Sequence, residues 1–424
     1  MGQTPDDIRI LDLAEPRLSD IQRGTIEAVG QLTVTFSEDA VLGAAVKQTG
    51  LSDFGADDFH ERLGVWLVSV EEDTGLGPVG RLGAFNDCVR YAANRLRFED
   101  LIKRHPEILD VEIKRPIIVA GLPRSGTTHL LNLIAADSRL RSLPYWESLE
   151  PIPDPRETRN ADGQDPRLRR CQENFVRQDA LMPLLRNMHH MTPNHVHEEI
   201  ELQALDFSSY LLEWTATVPR WRDYYLAHDQ RPHYRYMKNV LKALQWLRGP
   251  DRWILKSPQH LEQLPALQET FPDATIVITH RDPVSVIASA ATMLAYGDRL
   301  RRKKVDPAAV ADYWVDRVER LLRACVRDRD TIADGQSIDV LFHEFMADDI
   351  AMVERIYHLA GLEMTPQARA MLAGFMEENP RGKHGRVRYD LKADFGIDPD
   401  QLRERFAFYF ERFAVKVDLQ APVS

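Results

Sequence analysis

Cysteine is scarce in this sequence: Cys88, Cys171 and Cys325 are all that 424 residues hold. An odd, widely spaced trio supports neither a disulfide framework nor a zinc cluster, so the expectation is buried thiols in a reducing cytoplasm, and a cytoplasmic protein. Long apolar runs are missing as well. No stretch approaches the roughly 18 apolar residues of a membrane span. The opening MGQTPDDIRILDLAEP has neither the basic start nor the apolar centre of a secretory leader. Asp6 stands where N-myristoylation after Met-Gly wants Ser or Thr. There is no basic excess either: 54 Lys and Arg against 65 Asp and Glu give a formal charge of −11. That balance argues against a nucleic-acid partner, because a polyanion is held by neutralising its phosphates. It leaves room for a local basic pocket.

What the chain does have is ordinary enzyme composition, 44% hydrophobic and 28% charged, with length for one large or two modest domains. Residues 1 to about 110 read as helices, since AVLGAAVKQTG and FNDCVRYAANRLRFEDLIKRHPEIL carry apolar residues at steps of three and four. Four short β-branched runs follow, RPIIVAG, RWILKS, ATIVITHR and IDVLFHEF, with helical patterns between them. The expected fold is α/β: a P-loop-like central parallel sheet flanked by helices, with a helical N-terminal region at 1–112 packed on an α/β domain at 113–424. Ligands of such sheets bind beyond the C-terminal ends of the strands. There stand Arg124, Lys256, His280 with Arg281, and His343 with Glu344, a largely basic rim drawn from four segments. ETRNADGQDPRLRR (157–170) reads as a loop or flap. The Trp- and Tyr-rich stretch 206–237 reads as core packing, with an aromatic substrate wall as the alternative.

The stretch IIVAGLPRSGTTHLLNLI (117–134) is strand, small-residue loop, then helix, the order that presents unpaired N–H groups and a positive dipole end to a phosphate. Gly121 and Gly126 have the spacing of the nucleotide-triphosphate loop, but Thr127 occupies the lysine position. No apolar strand closes on an Asp that would hold water on Mg²⁺; Arg124 supplies a fixed cation, and Thr127 and Thr128 supply hydroxyls. Fixed cations without metal ligands suit a phosphate that is held and not cleaved. In HRDPVSVIAS, Pro283 suits a helix start, Ser289 lies eight residues past Arg281, and Ser285 and Ser289 share a helical face. Arg281 with a serine is posed for a second phosphate.

These two motifs resemble the sulfotransferases that use 3′-phosphoadenosine 5′-phosphosulfate (PAPS). GLPRSGTTHLL looks like their 5′-phosphosulfate loop in its bacterial-type form, and RDPVSVIAS looks like their 3′-phosphate element. QTGLSDFG, NRLRFEDLIKRHPEI, PYWESLEPIP, WILKSPQHL and GKHGRVRYDLKADFG extend the likeness over most of the chain. The resemblance implies that Pro123, Arg124, Ser125, Gly126, Thr127 and Thr128 cradle the 5′-phosphate and sulfuryl group, and that Arg281 and Ser289 hold the 3′-phosphate. His129 falls where relatives stack an aromatic ring on adenine. FHEF falls where they carry Tyr-Glu-Asp, with His343 at the tyrosine place. The basic loop RGKHGRVR, with Lys383, His384 and Arg386, would close over the nucleotide. PAPS is then the co-substrate and PAP the product, with no metal expected, and the acceptor a small molecule, lipid or glycan.

Sulfuryl transfer asks for a cation on the leaving phosphate and a base for the acceptor proton. Lys256 in ILKSPQHL resembles the family lysine that steadies the leaving group. Two candidates for the base arise. Glu147 in PYWESLEP matches a glutamate used by several branches, and His260 follows Lys256 by four residues, two more than in animal relatives. Glu147 is the preferred reading, with His195 and His197 next in line. In TPNHVHEEIELQAL, Pro193 after Thr192 suits a capped helix start, which would set His195, Glu198 and Glu199 on one face as an acceptor-side wall; metal binding is weakly supported because the order is not H-E-x-x-H. Two other classes compete: a P-loop nucleotide kinase or ATPase, and an inactive PAP-binding module. ATP turnover with Mg²⁺ marks the first, PAP binding without transfer the second.

Overall fold

The computed structural model describes residues 7–159, 162–383 and 385–418. Its strands in chain order are β1 (Asp7–Ile8), β2 (Ile117–Gly121), β3 (Leu140–Arg141), β4 (Arg252–Ser257), β5 (Thr275–His280), β6 (Ser337–Leu341) and β7 (Arg386–Val387). Five form one parallel sheet in the order β3-β4-β2-β5-β6, and β1 pairs with β7 apart from it. Every residue of β2 and β5 is buried, as a sheet covered by helices on both faces requires. The four apolar runs become β2, β4, β5 and β6; the two-residue β3 carries no pattern of its own. β2 lies between β4 and β5; the chain runs from β2 to β3 on one side and from β5 to β6 on the other, so a crevice opens at the C-terminal end of β2. There Gly121 pairs with Thr279, and a Cβ on Gly121 would fall 1.9 Å from Thr279 Oγ1. Only glycine lets the loop leave the sheet at that point.

The N-terminal helices, Asp20–Gly30, Glu38–Thr49, Phe59–Glu72 and Pro78–Arg104, follow the three- and four-residue pattern. Their core of Val41, Phe59, Trp66 and Tyr91 also takes in Phe207, Trp221 and Tyr225, so one apolar cluster crosses the 112–113 junction. A buried polar knot reinforces it. Arg62 and Arg95 donate to Asp206 Oδ1 at 2.6 and 2.7 Å, and His233 Nδ1 lies 2.6 Å from Oδ2. These contacts anchor the residue 206 region to the helix that also supplies Arg90.

Three local readings change. The flap ends at Asp165, whose side chain accepts from Arg167 N and caps a helix over Pro166–Leu181. No helix starts at Pro193. Val196 forms an antiparallel bridge with Pro144, His197 N donates to Leu143 O at 2.7 Å, and Tyr145 N donates to His195 O at 2.8 Å. A turn at 193–194 and pairing with residues 143–146 keep the segment out of a helix, which begins only at Ile200. His280, placed on the rim by the strand-end reading, is instead buried, with Nδ1 2.8 Å from Tyr409 Oη and Nε2 2.8 Å from Asp339 Oδ1. Within 206–237, Tyr210, Trp221, Tyr225 and Tyr234 are core, while Leu211 and Trp214 face a cavity.

Candidate active site

The loop after β2 turns on two left-handed residues, Arg124 (φ 68°) and Gly126 (φ 88°), and delivers the chain into the Thr127–Ala135 helix. Left-handed backbone is strained for arginine, and its surroundings hold it there. Arg281 Nη1 donates to Arg124 O at 2.7 Å, and Arg124 Nε donates to Ser289 Oγ at 2.9 Å. Ser289 lies on the Pro283–Arg301 helix, which starts at the proline with Asp282 accepting from Val284 N. The two phosphate motifs thus meet at Arg124. Ser125 braces the loop: its Oγ donates to Leu122 O at 2.6 Å and lies 3.0 Å from Thr279 Oγ1.

Pro123, Arg124, Thr127 and Thr128 form one wall of a cavity of about 220 Å³. Leu211, Trp214, Met191 and Met293 give it an apolar interior, and Tyr145, His189, His197, Glu198 and Glu201 supply its polar edge. Lys256, at the buried end of β4, reaches this place: Nζ donates to Glu198 Oε1 and lies 3.4 Å from Thr128 Oγ1. The 192–199 segment, bridged to Pro144 at Val196, aims Glu198 here. Asn132 fixes it from the loop helix, accepting from Val196 N at 3.1 Å and donating to Val196 O at 3.3 Å. Glu199 turns the other way, accepting from Lys256 N at 2.8 Å and meeting His260 Nε2 at 2.5 Å.

That pairing holds His260 away from the cavity. It is fully buried, Tyr234 Oη lies 2.8 Å from its Nδ1, and it does not line the cavity, so it braces the strand end. Glu147 is not brought to the cavity either. It is 3% exposed, and Arg141 Nη2 and Arg248 Nη2 donate to its Oε2 at 2.8 and 3.0 Å. Its carboxylate is engaged by two guanidiniums, and it lines a separate cavity with Arg248.

His129 lies in a second cavity, about 460 Å³, lined also by Met346, Asp349, Met376, Asn379 and Arg381. Its Nε2 is 3.4 Å from Asp349 Oδ2, and its ring lies 5.5 Å from that of Phe345. Burial pushes its pKa below the ordinary imidazole value, against the pull of Asp349. Arg381 crosses from the basic loop to Asp349 and to Met346 O. Lys383 points outward, donating to Glu378 O at 2.8 Å; Arg386 is an exposed residue of β7; His384 lies outside the described residues. His343 is the second residue of the Phe342–Ala347 helix and lines neither cavity; the ring that meets the loop is Phe342, with the Arg281 guanidinium 4.0 Å over its centroid. Arg281 also donates from Nε to Asp418 Oδ2 at 2.7 Å.

Electrostatics around the cavity favour neutral imidazoles. Burial, then the nearby Lys256 charge, pushes His195 down to about 4 and His197 well below its usual value. His189 moves the same way, by burial and then Arg124. Burial raises Glu201, with Arg90 opposing. Sequence reasoning gave Glu198 only a place on a polar acceptor-side wall and Arg381 only a place in the basic loop, and did not single out Phe342 or Asp418. The paired Glu198-Glu199 beside a lysine-bearing strand was the one available signal.

A sulfotransferase family profile matches residues 116–366. Among solved structures, sulfotransferase STF1 from Mycobacterium tuberculosis H37Rv is 30% identical, with a TM-score of 0.77 over 88% of this chain and 98% of its own. STF9 from Mycobacterium avium is 27% identical, with a TM-score of 0.80 over 91% of this chain and 99% of its own. No curated protein matches. With a profile match over more than half its length and two full-length structural relatives, the chain belongs to the sulfotransferase family.

Proposed function

We propose that this sulfotransferase takes its sulfuryl group from PAPS and passes it to a hydroxyl or amine in the apolar cavity, releasing PAP. One observation carries this reading: Arg281 and Ser289 both meet Arg124 beside the phosphate loop, the first donating to its carbonyl and the second accepting from its Nε. Two guanidiniums and a hydroxyl at a helix N-terminus are the groups that a nucleotide with a 3′-phosphate needs beyond an ordinary mononucleotide. The N–H groups of residues 124–128 are for the 5′-phosphate, with Arg281 and Ser289 for the 3′-phosphate. The cavity of His129 and Arg381 is for the adenine side. A catalytic test uses labelled PAPS with a library of alcohols, phenols and amines; label on an acceptor establishes transfer, whereas PAP binding without transfer to any acceptor favours the inactive module.

In the transfer, the acceptor oxygen bonds to sulfur as sulfur leaves the bridging phosphate oxygen. Lys256 neutralises charge on that oxygen, and Glu198 takes the acceptor proton. Both groups are at the mouth of the loop, already paired to each other. The apolar walls exclude water, which strengthens both interactions and protects the donor from hydrolysis. Catalysis then rests on position and fixed charge.

Transfer should survive EDTA. Asp282, the acidic residue nearest a strand end by the loop, spends its carboxylate on Val284 N and Asp418 N, at 2.9 and 3.1 Å. Loss of activity on chelation, restored by Mg²⁺, would return the kinase reading to contention. A second expected result concerns Asp418, whose carboxylate occupies one edge of Arg281. Asp418→Asn removes a charge competing with the 3′-phosphate, so PAP should bind several-fold tighter by titration calorimetry, with AMP unaffected. An unchanged PAP affinity would place the phosphate on the other edge of the guanidinium.

A further inference from the structure

The polar edge of the acceptor cavity carries two carboxylates, and the proposed transfer uses only one of them. Glu198 is paired with Lys256; Glu201 lines the same space without a part in the chemistry. Glu201 is a buried residue of the short Ile200–Gln203 helix. Its Oε2 is held by Arg90, a residue outside the cavity wall, whose Nη1 donates to it at 3.0 Å. Arg90 is itself fixed, with Nη2 3.2 Å from Asp87 Oδ1 and Nη1 3.4 Å from Leu149 O. The ion pair therefore sets the orientation of the Glu201 carboxylate. Its second oxygen, Oε1, has no hydrogen-bond partner among the described residues.

A carboxylate that offers a free oxygen to an apolar cavity is costly unless a donor reaches it. Burial raises the Glu201 pKa for this reason, and the neighbouring Glu198 charge adds to the rise against the pull of Arg90. The charge pattern also narrows what that donor is. Beyond burial, the charges of Arg124, Lys256 and Arg90 push the His189 and His197 imidazoles down, so a further cation is disfavoured here. Two carboxylates on the wall likewise turn away an anion. A neutral O–H meets neither objection.

We propose that Glu201 sets acceptor specificity: its free oxygen accepts a hydrogen bond from a second hydroxyl of the acceptor, while the reacting hydroxyl lies by Lys256 and Glu198. The acceptor is thus a small uncharged diol whose carbon frame packs on Leu211, Trp214 and Met293 within about 220 Å³. The choice of which hydroxyl reacts rests on the sulfuryl-transfer reading; the hydroxyl site on Glu201 does not.

The test is calorimetric binding to the full chain, with and without PAP, of 1,3-cyclohexanediol, 1,4-cyclohexanediol and 1,4-cyclohexanedimethanol, which differ in hydroxyl spacing. Each is compared with the analogue carrying methyl in place of one hydroxyl and with its monomethyl ether. At the spacing that fits, the diol should bind about tenfold tighter than either analogue, because both leave the carboxylate oxygen unpaired. Glu201→Met should erase that preference. Glu201→Gln covers the case in which the methionine variant fails to fold: its amide oxygen serves Arg90 and its N–H faces the cavity, so the diol and its ether should become alike. Analogues that match the diol at all three spacings, a preference that survives Glu201→Met, or tighter binding of 4-aminocyclohexanol than of 1,4-cyclohexanediol overturns the proposal. Failure of PAP to bind while the Glu201-dependent preference persists would count against the PAPS reading alone.

Discussion

Arg281→Ala is expected to weaken PAP binding by about 2–3 kcal/mol, the worth of charge-assisted hydrogen bonds to a phosphate, and to leave AMP binding nearly unchanged. The comparison matters because Arg281 has three other contacts. It donates to Arg124 O and to Asp418 Oδ2, and its guanidinium lies over the Phe342 ring. If loop bracing were its whole role, the alanine variant would lose PAP and AMP alike, since both need the loop at the 5′-phosphate. If it holds the 3′-phosphate, only the ligand carrying that group suffers. Ser289→Ala should follow the same pattern at about 1 kcal/mol, the scale of a single neutral hydrogen bond. Wild-type protein that binds PAP and AMP equally would remove the second phosphate site, and with it the PAPS assignment. Titration calorimetry of the two nucleotides on the three proteins decides among these outcomes.

Much of this site was legible because its determinants are local. A glycine spacing, a proline at a helix start and a serine eight residues past an arginine are fixed by covalent neighbours and helical period, and the structure places Arg124, Arg281 and Ser289 together. The four apolar runs became strands for the same reason, since β-branched runs bounded by charge have few other uses in a layered fold. What the sequence could not show is partners that come from far along the chain. Glu147 looked available because PYWESLEP shows nothing of Arg248, 101 residues away, which closes on its carboxylate. His260 looked like a base until Glu199 and Tyr234, distant in sequence, took both ring nitrogens. The 192–199 segment carries a good N-cap and proline, yet pairing with residues 143–146 outweighs so weak a local preference. That override sets the orientation of the Glu198-Glu199 pair, one carboxylate toward Lys Nζ and the cavity, the next toward the backbone.

Glu198→Gln is therefore expected to cut turnover by roughly 10²-fold or more, the usual contribution of a positioned base. PAP affinity should hold or improve, because the amide no longer neutralises Lys256. Glu147→Gln should do the reverse. Its turnover should stay near wild type while stability falls by on the order of 3 kcal/mol, because Arg141, with a side chain 0% exposed, loses the charge that compensates its burial. Single-turnover transfer with saturating PAPS separates chemistry from product release, and denaturant unfolding reports the stability cost independently. The acceptor should be an aliphatic alcohol, since a phenol ionises with little help and would mask the loss of a base. Slow transfer in folded Glu147→Gln together with normal transfer in Glu198→Gln would return the proton to Glu147 and require its short helix to reorient. Normal transfer in both would move the role to His197, the neutral imidazole on the same cavity wall, whose pKa burial and Lys256 hold low. His197→Gln would then be the slow variant, and the rate would fall as pH drops toward that depressed pKa.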